Sequence, residues 1–145
     1  MRFLHVSDLH IGKRLHEYSF LEDQEYILKQ ILSIAKDEAV DGILLAGDIY
    51  DKSVPLERGV ALFDSFLTAC SQASYKVFLI SGNHDSGQRI HFGESIMEES
   101  GIYIQGNFDG SMKCIHLEDS YGKVDVYLLP FIKPSSVRPY FGEVE

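Results

Sequence analysis

Three apolar runs in the first 85 residues each break off into a short polar loop carrying Asp, Asn or His. Arg2-Phe3-Leu4-His5-Val6 runs into Ser7-Asp8-Leu9-His10. Gly42-Ile43-Leu44-Leu45-Ala46 runs into Gly47-Asp48-Ile49-Tyr50-Asp51. Lys76-Val77-Phe78-Leu79-Ile80 runs into Ser81-Gly82-Asn83-His84-Asp85-Ser86-Gly87. Runs of this length and composition read as buried strands. Parallel neighbours would bring their polar ends to one edge of one sheet, which is where open α/β sheets bind ligands.

The stretches between them have helical periodicity. Ser19 and Glu22 fit a capping box, and Leu21, Gln24, Ile27, Leu28, Ile31, Ile34 and Ala35 then share one stripe, predicting a helix over 20–38. Pro55 suits a first helical turn, and Val60, Phe63, Phe66, Leu67 and Cys70 extend that helix to about residue 71. Phe63, Phe66 and Leu67 read first as core and second as a dimer face. A helix is expected over 89–99 with Ile90, Ile96 and Met97 inward, then a short strand at 102–104. Residues 112–117 and 124–129 alternate as a hairpin closed around Ser120-Tyr121-Gly122. The fold class is therefore α/β: a mainly parallel sheet with helices over it, and a second set of strands beginning. Residues 130–145 carry three prolines and read as a connection.

A chain of 145 residues suits one globular domain or part of one. No run is long enough to span a bilayer, and a core strand close behind Met1 leaves no room for a signal peptide. Cys70 and Cys114 read as reduced thiols, which points to the cytoplasm. The net charge of −9 argues against sequence-blind attraction to phosphate backbones over the whole surface. It leaves room for a nuclease, because carboxylates that load divalent cations are themselves acidic and the bound ions reverse the local sign.

The loop residues form a ligand set. In extended backbone, residues two apart face the same side, so Asp8 and His10 can share a cation. Asp48 has two oxygens and can bridge a pair of ions; Asn83 adds a neutral oxygen. Mixed oxygen and imidazole donors favour Mn²⁺, Fe²⁺ or Zn²⁺ over Ca²⁺. Two ions ~3.5–4 Å apart would clamp a phosphate and activate water for in-line attack. Gly47 and Gly82 allow sharp turns just before Asp48 and Asn83. His84 follows a ligand and can stabilise the transition state or protonate the leaving oxygen, with Asp51 a candidate to orient its ring. Elsewhere, His5 reads as a core or supporting residue, His16 as a solvated loop residue, His91 as surface, His116 as structural and Asp85 as a cap on the following turn. Glu94, Glu98 and Glu99 read as a solvated helix face.

Asp-x-His, Gly-Asp-x-x-Asp and Gly-Asn-His-Asp, in that order and each after a strand, resemble the motifs of calcineurin-like metallophosphoesterases. The finer resemblance is to nuclease subunits of SbcD type and their archaeal and eukaryotic relatives in double-strand-break repair. It rests on Leu4-His5-Val6-Ser7-Asp8-Leu9-His10-Ile11-Gly12, Gly47-Asp48-Ile49-Tyr50-Asp51 and Ser81-Gly82-Asn83-His84-Asp85-Ser86. The resemblance implies a four-layer αββα sandwich, of which 1–145 is the N-terminal part. It also implies Mn²⁺-dependent exonuclease and endonuclease activity at DNA ends and hairpins in recombination and repair, a homodimer, and a coiled-coil ATPase partner. Asp8 and His10 would hold the first metal, Asp48 would bridge, Asn83 would hold the second, and His84 would act on the phosphate with Asp51 behind it. Ser86, Gln88 and Arg89 fall where the family's loop approaches DNA phosphates, and the loop carrying His16 lies beside the site. Phosphodiester or phosphomonoester hydrolysis of small substrates, or a partner-binding scaffold, are the alternatives. The family's further histidines, in Gly-His and Gly-His-x-His motifs, are absent: no Gly-His pair occurs and His116 is the last histidine. The expectation is an N-terminal fragment with weak metal binding and little activity by itself.

Overall fold

A computed structural model describes residues 1–142. In chain order its elements are β1 (Phe3–Val6), β2 (Arg14–Leu15), β3 (Tyr18–Ser19), α1 (Leu21–Asp37), β4 (Gly42–Ala46), α2 (Glu57–Gln72), β5 (Lys76–Ile80), α3 (Gly87–His91), α4 (Glu94–Glu99), β6 (Ile102–Gln105), β7 (Lys113–Asp119), β8 (Gly122–Leu128) and α5 (Pro134–Phe141). The centre is a parallel sheet ordered β1-β4-β5-β6, with Leu4 opposite Ile43, Ile43 opposite Val77 and Val77 opposite Ile102. β2 pairs with β3, and β7 with β8, as antiparallel hairpins.

Spatial order follows chain order, so each right-handed crossover puts its helices on the same face. That face is the larger core. Leu21, Leu28 and Ala35 of α1 and Phe63, Phe66, Leu67 and Cys70 of α2 pack on Ile43, Leu45, Val77, Leu79, Ile102 and Ile104. The aromatic stripe of α2 is therefore core. Alternate residues face the other way: Phe3, Leu44, Phe78, Ile80 and Tyr103 meet Ile115, Leu117 and Leu128 of the β7–β8 hairpin. Burial on both faces is why β4 and β5 read as unbroken apolar runs. The α/β class and the start of a second strand set are as expected. The hairpin's outer face, including His116, Glu118, Lys123 and Asp125, is open to solvent.

Several local expectations need correction. The capping box does not form: Phe20 is the N-cap of α1 without a side-chain bond, and Ser19, the last residue of β3, comes one residue too early. Pro55 lies outside α2, which starts at Glu57. The helix over 89–99 is broken into α3 and α4 at Gly93, whose φ of 78° no right-handed helix accommodates. Ile96 is exposed, as are Ile27 and Ile34 of α1. His5 lies on the face the hairpin leaves partly uncovered and is exposed, so it is not a core residue. Glu94 is not merely solvated: with Glu98 it binds Lys113, tying α4 to β7, and it also meets His91. Within 130–142, residues Pro134–Phe141 form a helix, and Phe108 packs on Tyr140 and Phe141. The expected connection over 143–145 lies outside the described residues.

Candidate metal centre

The loops after β1 and β4 run together beyond the ends of their strands. Asp8 N–H donates to Gly47 O at 3.2 Å, His10 N–H to Asp48 O at 2.9 Å and Ile11 N–H to Ile49 O at 2.8 Å. Asp51 N–H returns a bond to Ile11 O at 3.2 Å. This ladder brings residues 8 and 48, forty apart in the chain, to one place.

Asp8, His10 and Asp48 meet there, with one donor atom from each inside a common 4.8 Å span. His10 Nε2 lies 3.8 Å from Asp8 Oδ1 and 3.9 Å from Asp48 Oδ2. Extended backbone is not what aligns Asp8 with His10. Their φ values are 57° and 44°, and that of Asp48 is 51°, so all three adopt the left-handed conformation. Residues other than Gly, Asn and Asp resist it by roughly 1–2 kcal/mol each. Strain of this kind collects at functional sites, where the surrounding bonds over-determine it.

Gly82 makes room for the arrangement. A Cβ there would sit 2.1 Å from Asp48 Oδ1 and 2.3 Å from Asp48 N. The sequence suggested a turn; the need is close approach of two loops. Gly47, at φ 83°, does turn sharply and packs against Gly82.

Asn83 and His84 come from the third loop. His84 N–H donates to Asp48 Oδ1 at 3.0 Å, and its ring stands edge-on to His10 with centroids 5.2 Å apart. Asn83 is exposed and lies between two residues whose backbones both touch Asp48. Asp51, paired with His84 in the sequence reading, finds a different partner: its Oδ1 is 3.9 Å from His10 Nδ1. That nitrogen is buried and has no hydrogen-bond partner.

The electrostatics are lopsided. Asp8, Asp48 and Asp51 surround one imidazole, and among the described residues none of the three has a lysine or arginine within 4.0 Å. Carboxylates gathered without a counter-charge repel each other unless a cation joins them. The donor set of carboxylate oxygens and Nε2 suits a divalent ion of Mn²⁺, Fe²⁺ or Zn²⁺ type. The unpartnered Nδ1 facing Asp51 matches the outer half of a ligating histidine, which normally donates to a carboxylate. The residues present therefore fit the metal implied by the motifs.

Two residues that shape the centre escaped the sequence reading. Gln24, placed on the apolar stripe of α1, clamps the first loop: its Nε2 donates to His10 O at 2.7 Å and Leu9 O at 3.2 Å, and its Oε1 accepts from Gly12 N–H at 2.9 Å. A lone amide in an apolar stripe was the available signal. Asp85 does not cap the turn that follows. Its carboxylate accepts from Gly82 N–H at 2.8 Å, Tyr50 N–H at 3.0 Å and Ile49 N–H at 3.1 Å, locking the second loop to the third. Burial, and then the charges of Asp85 and Asp64, push the Tyr50 phenol up to about 12.

Ser86, Gln88 and Arg89 line one cleft of about 550 Å³ together with Tyr50, Pro55, Val60 and Phe92. Tyr50 connects this cleft to the Asp48 loop. His16 is exposed in the turn between β2 and β3, at φ 52°, and is not among the residues lining the cleft.

Residues 1–142 match the family described as calcineurin-like phosphoesterase. The SbcD subunit of the nuclease SbcCD from Staphylococcus saprophyticus subsp. saprophyticus is 33% identical over 144 residues, which is 99% of this chain and 37% of that protein. The chain thus spans a little over a third of the length of this curated relative. With the match running almost end to end and three loops converging on Asp48, the chain belongs to the calcineurin-like phosphoesterase family.

Proposed function

We propose that this chain is the N-terminal part of a metal-dependent phosphodiesterase that cuts DNA, a nuclease of the SbcD type. The observation that carries the reading is the meeting of Asp8, His10 and Asp48 around a cluster with no internal counter-charge. The similarity to an SbcCD nuclease subunit favours DNA as substrate. In this reading Asp8 and His10 would hold the first ion, Asp48 would be shared between the two, and Asn83 would contribute to the second. Mn²⁺ is the proposed metal. When bound, the ions supply positive charge that polarises the phosphate and acidifies water.

The remaining work falls to the chain. Ser86, Gln88 and Arg89 line a cleft that would position the phosphate backbone, with Arg89 supplying the positive charge. His16 would reach substrate only at the edge of the site. Asp51 keeps the His10 ring in orientation. His84, exposed and anchored through its own N–H on Asp48, can give its proton to the departing oxygen as the phosphorus–oxygen bond breaks, while the attacking water bonds to phosphorus and releases its own proton to solvent. We further propose a coiled-coil ATPase partner, a homodimer and a cytoplasmic setting. Among the described residues no helix is long and apolar enough to cross a membrane. The net charge of −9 favours the second reading, hydrolysis of small phosphodiesters or phosphomonoesters.

Calorimetric titration of Mn²⁺ into this chain should show weak binding that Asp48→Asn removes. A chain extended to the length of its relative should cleave double-stranded and hairpin DNA with Mn²⁺, and His84→Ala should slow it by about 10²–10⁴. Robust cutting of bis-p-nitrophenyl phosphate without cutting of DNA would select the small-substrate reading. Efficient Mn²⁺-dependent DNA cleavage by the 145-residue chain alone would overturn the inference that it is catalytically incomplete.

A further inference from the structure

A second cluster of metal-ligating atoms lies on the outer face of the β7–β8 hairpin. Cys114 and His116 are two apart on β7, and Asp125 stands directly opposite His116 on β8. Their neighbours Ile115 and Leu117 on β7 and Val124 and Val126 on β8 pack towards the core, so strand alternation turns these three outward together. Cys114 Sγ lies 3.9 Å from His116 Nδ1, and Asp125 Oδ1 lies 2.7 Å from the same nitrogen.

Thiol and carboxylate both meet Nδ1, which rules out a relay from Cys through His to Asp. Such a relay needs both ring nitrogens, one for each neighbour. The shared nitrogen instead puts a sulfur, a nitrogen and an oxygen around one point, all within 4.8 Å of one another. In a tetrahedral zinc site with Zn–S of ~2.3 Å and Zn–N of ~2.0 Å, sulfur and nitrogen are about 3.5 Å apart. The observed 3.9 Å is close to that edge. The His116–Asp125 hydrogen bond needs to open only slightly, and both side chains are exposed and free to do so.

We propose that Cys114, His116 and Asp125 form a site for a borderline divalent cation of the Zn²⁺ class, separate from the Asp8–His10–Asp48 centre and completed by water. Binding replaces the proton between His116 Nδ1 and Asp125 with the cation, and the Cys114 thiol also releases its proton to solvent. Soft sulfur makes this site selective against Mn²⁺ and Mg²⁺, which prefer oxygen. The cation cross-links β7 to β8, in a hairpin joined to the main sheet through a core cluster of only four buried residues.

Cobalt(II) titrated into the 145-residue chain tests the site. A thiolate-to-cobalt charge-transfer band should rise to one equivalent and bleach on adding Zn²⁺. The Asp8–His10–Asp48 centre has no thiol, so this band reports only a cysteine site. Cys114→Ser should abolish the band while Cys70→Ser leaves it, and His116→Ala and Asp125→Ala should each weaken cobalt binding at least ten-fold. Far-ultraviolet circular dichroism checks that each variant keeps its fold. No band at saturating cobalt, a band that survives Cys114→Ser, or cobalt affinity in His116→Ala and Asp125→Ala unchanged from that of the original chain would overturn the proposal.

Discussion

Asp8, His10 and Asp48 adopt a backbone conformation that most side chains avoid, and each is held there by a bond to a neighbouring loop. Asp8 is largely exposed and aspartate is tolerated in this conformation, so Asp8→Gly should change stability by no more than about 0.5 kcal/mol in urea unfolding. The same change should eliminate Mn²⁺ binding. Gly82→Ala should instead destabilise by about 1–3 kcal/mol, because its Cβ collides with both the carboxylate and the backbone of Asp48. Titration offers another test. Burial pushes the Cys70 thiol up to about 12. The folded chain thus keeps a proton that the unfolded chain loses above about pH 8.5. The contribution to stability is unchanged below that pH and falls as pH rises towards 12, by about 1.4 kcal/mol per unit. Unfolding midpoints measured from pH 8 to 11 should fall, and less steeply in Cys70→Ala. The convergence of Asp8, His10 and Asp48 was readable because polar loops after neighbouring parallel strands gather at one edge of the sheet. Their left-handed backbone was not, since Asp tolerates both conformations and nothing local chooses between them.

Among the elements, β4, β5 and α2 followed directly from apolar spacing, because burial on one or two faces leaves a periodic trace. The break between α3 and α4 was hidden in a pattern that stayed helical on both sides of Gly93. The β2–β3 hairpin is two residues a side and exposed, too short to leave any alternation. Contacts between loops were the least legible, since Asp85 and Gln24 act on backbone groups that no sequence pattern marks. Both can be tested. Asp85→Ala frees three N–H groups at once, and about 2–4 kcal/mol of stability should be lost. Hydrogen exchange should quicken at Ile49, Tyr50 and Gly82 while α1 stays protected. Gln24→Leu keeps the helix and removes the clamp; exchange at Gly12 should rise, and Mn²⁺ affinity should fall with it.

At the scale of the whole molecule, the two cores are unequal. Among the described residues the helical side buries seventeen apolar residues and the hairpin side four. Phe78 is the main link, packing on Phe3 and Tyr103 as well as the hairpin. Phe78→Ala should cost about 3–5 kcal/mol, and exchange should rise in β7 and β8 ahead of β4 and β5. The order of the central sheet has a consequence for how the chain is made. Because each strand joins the edge left by the one before it, the sheet can grow as the ribosome releases it, with no gap held open for a later segment. Asp8, His10 and Asp48 all come from the loops after β1 and β4, the first two strands to pair. The acidic side of the site can therefore assemble before the loop after β5 delivers Asn83 and His84 to the same edge.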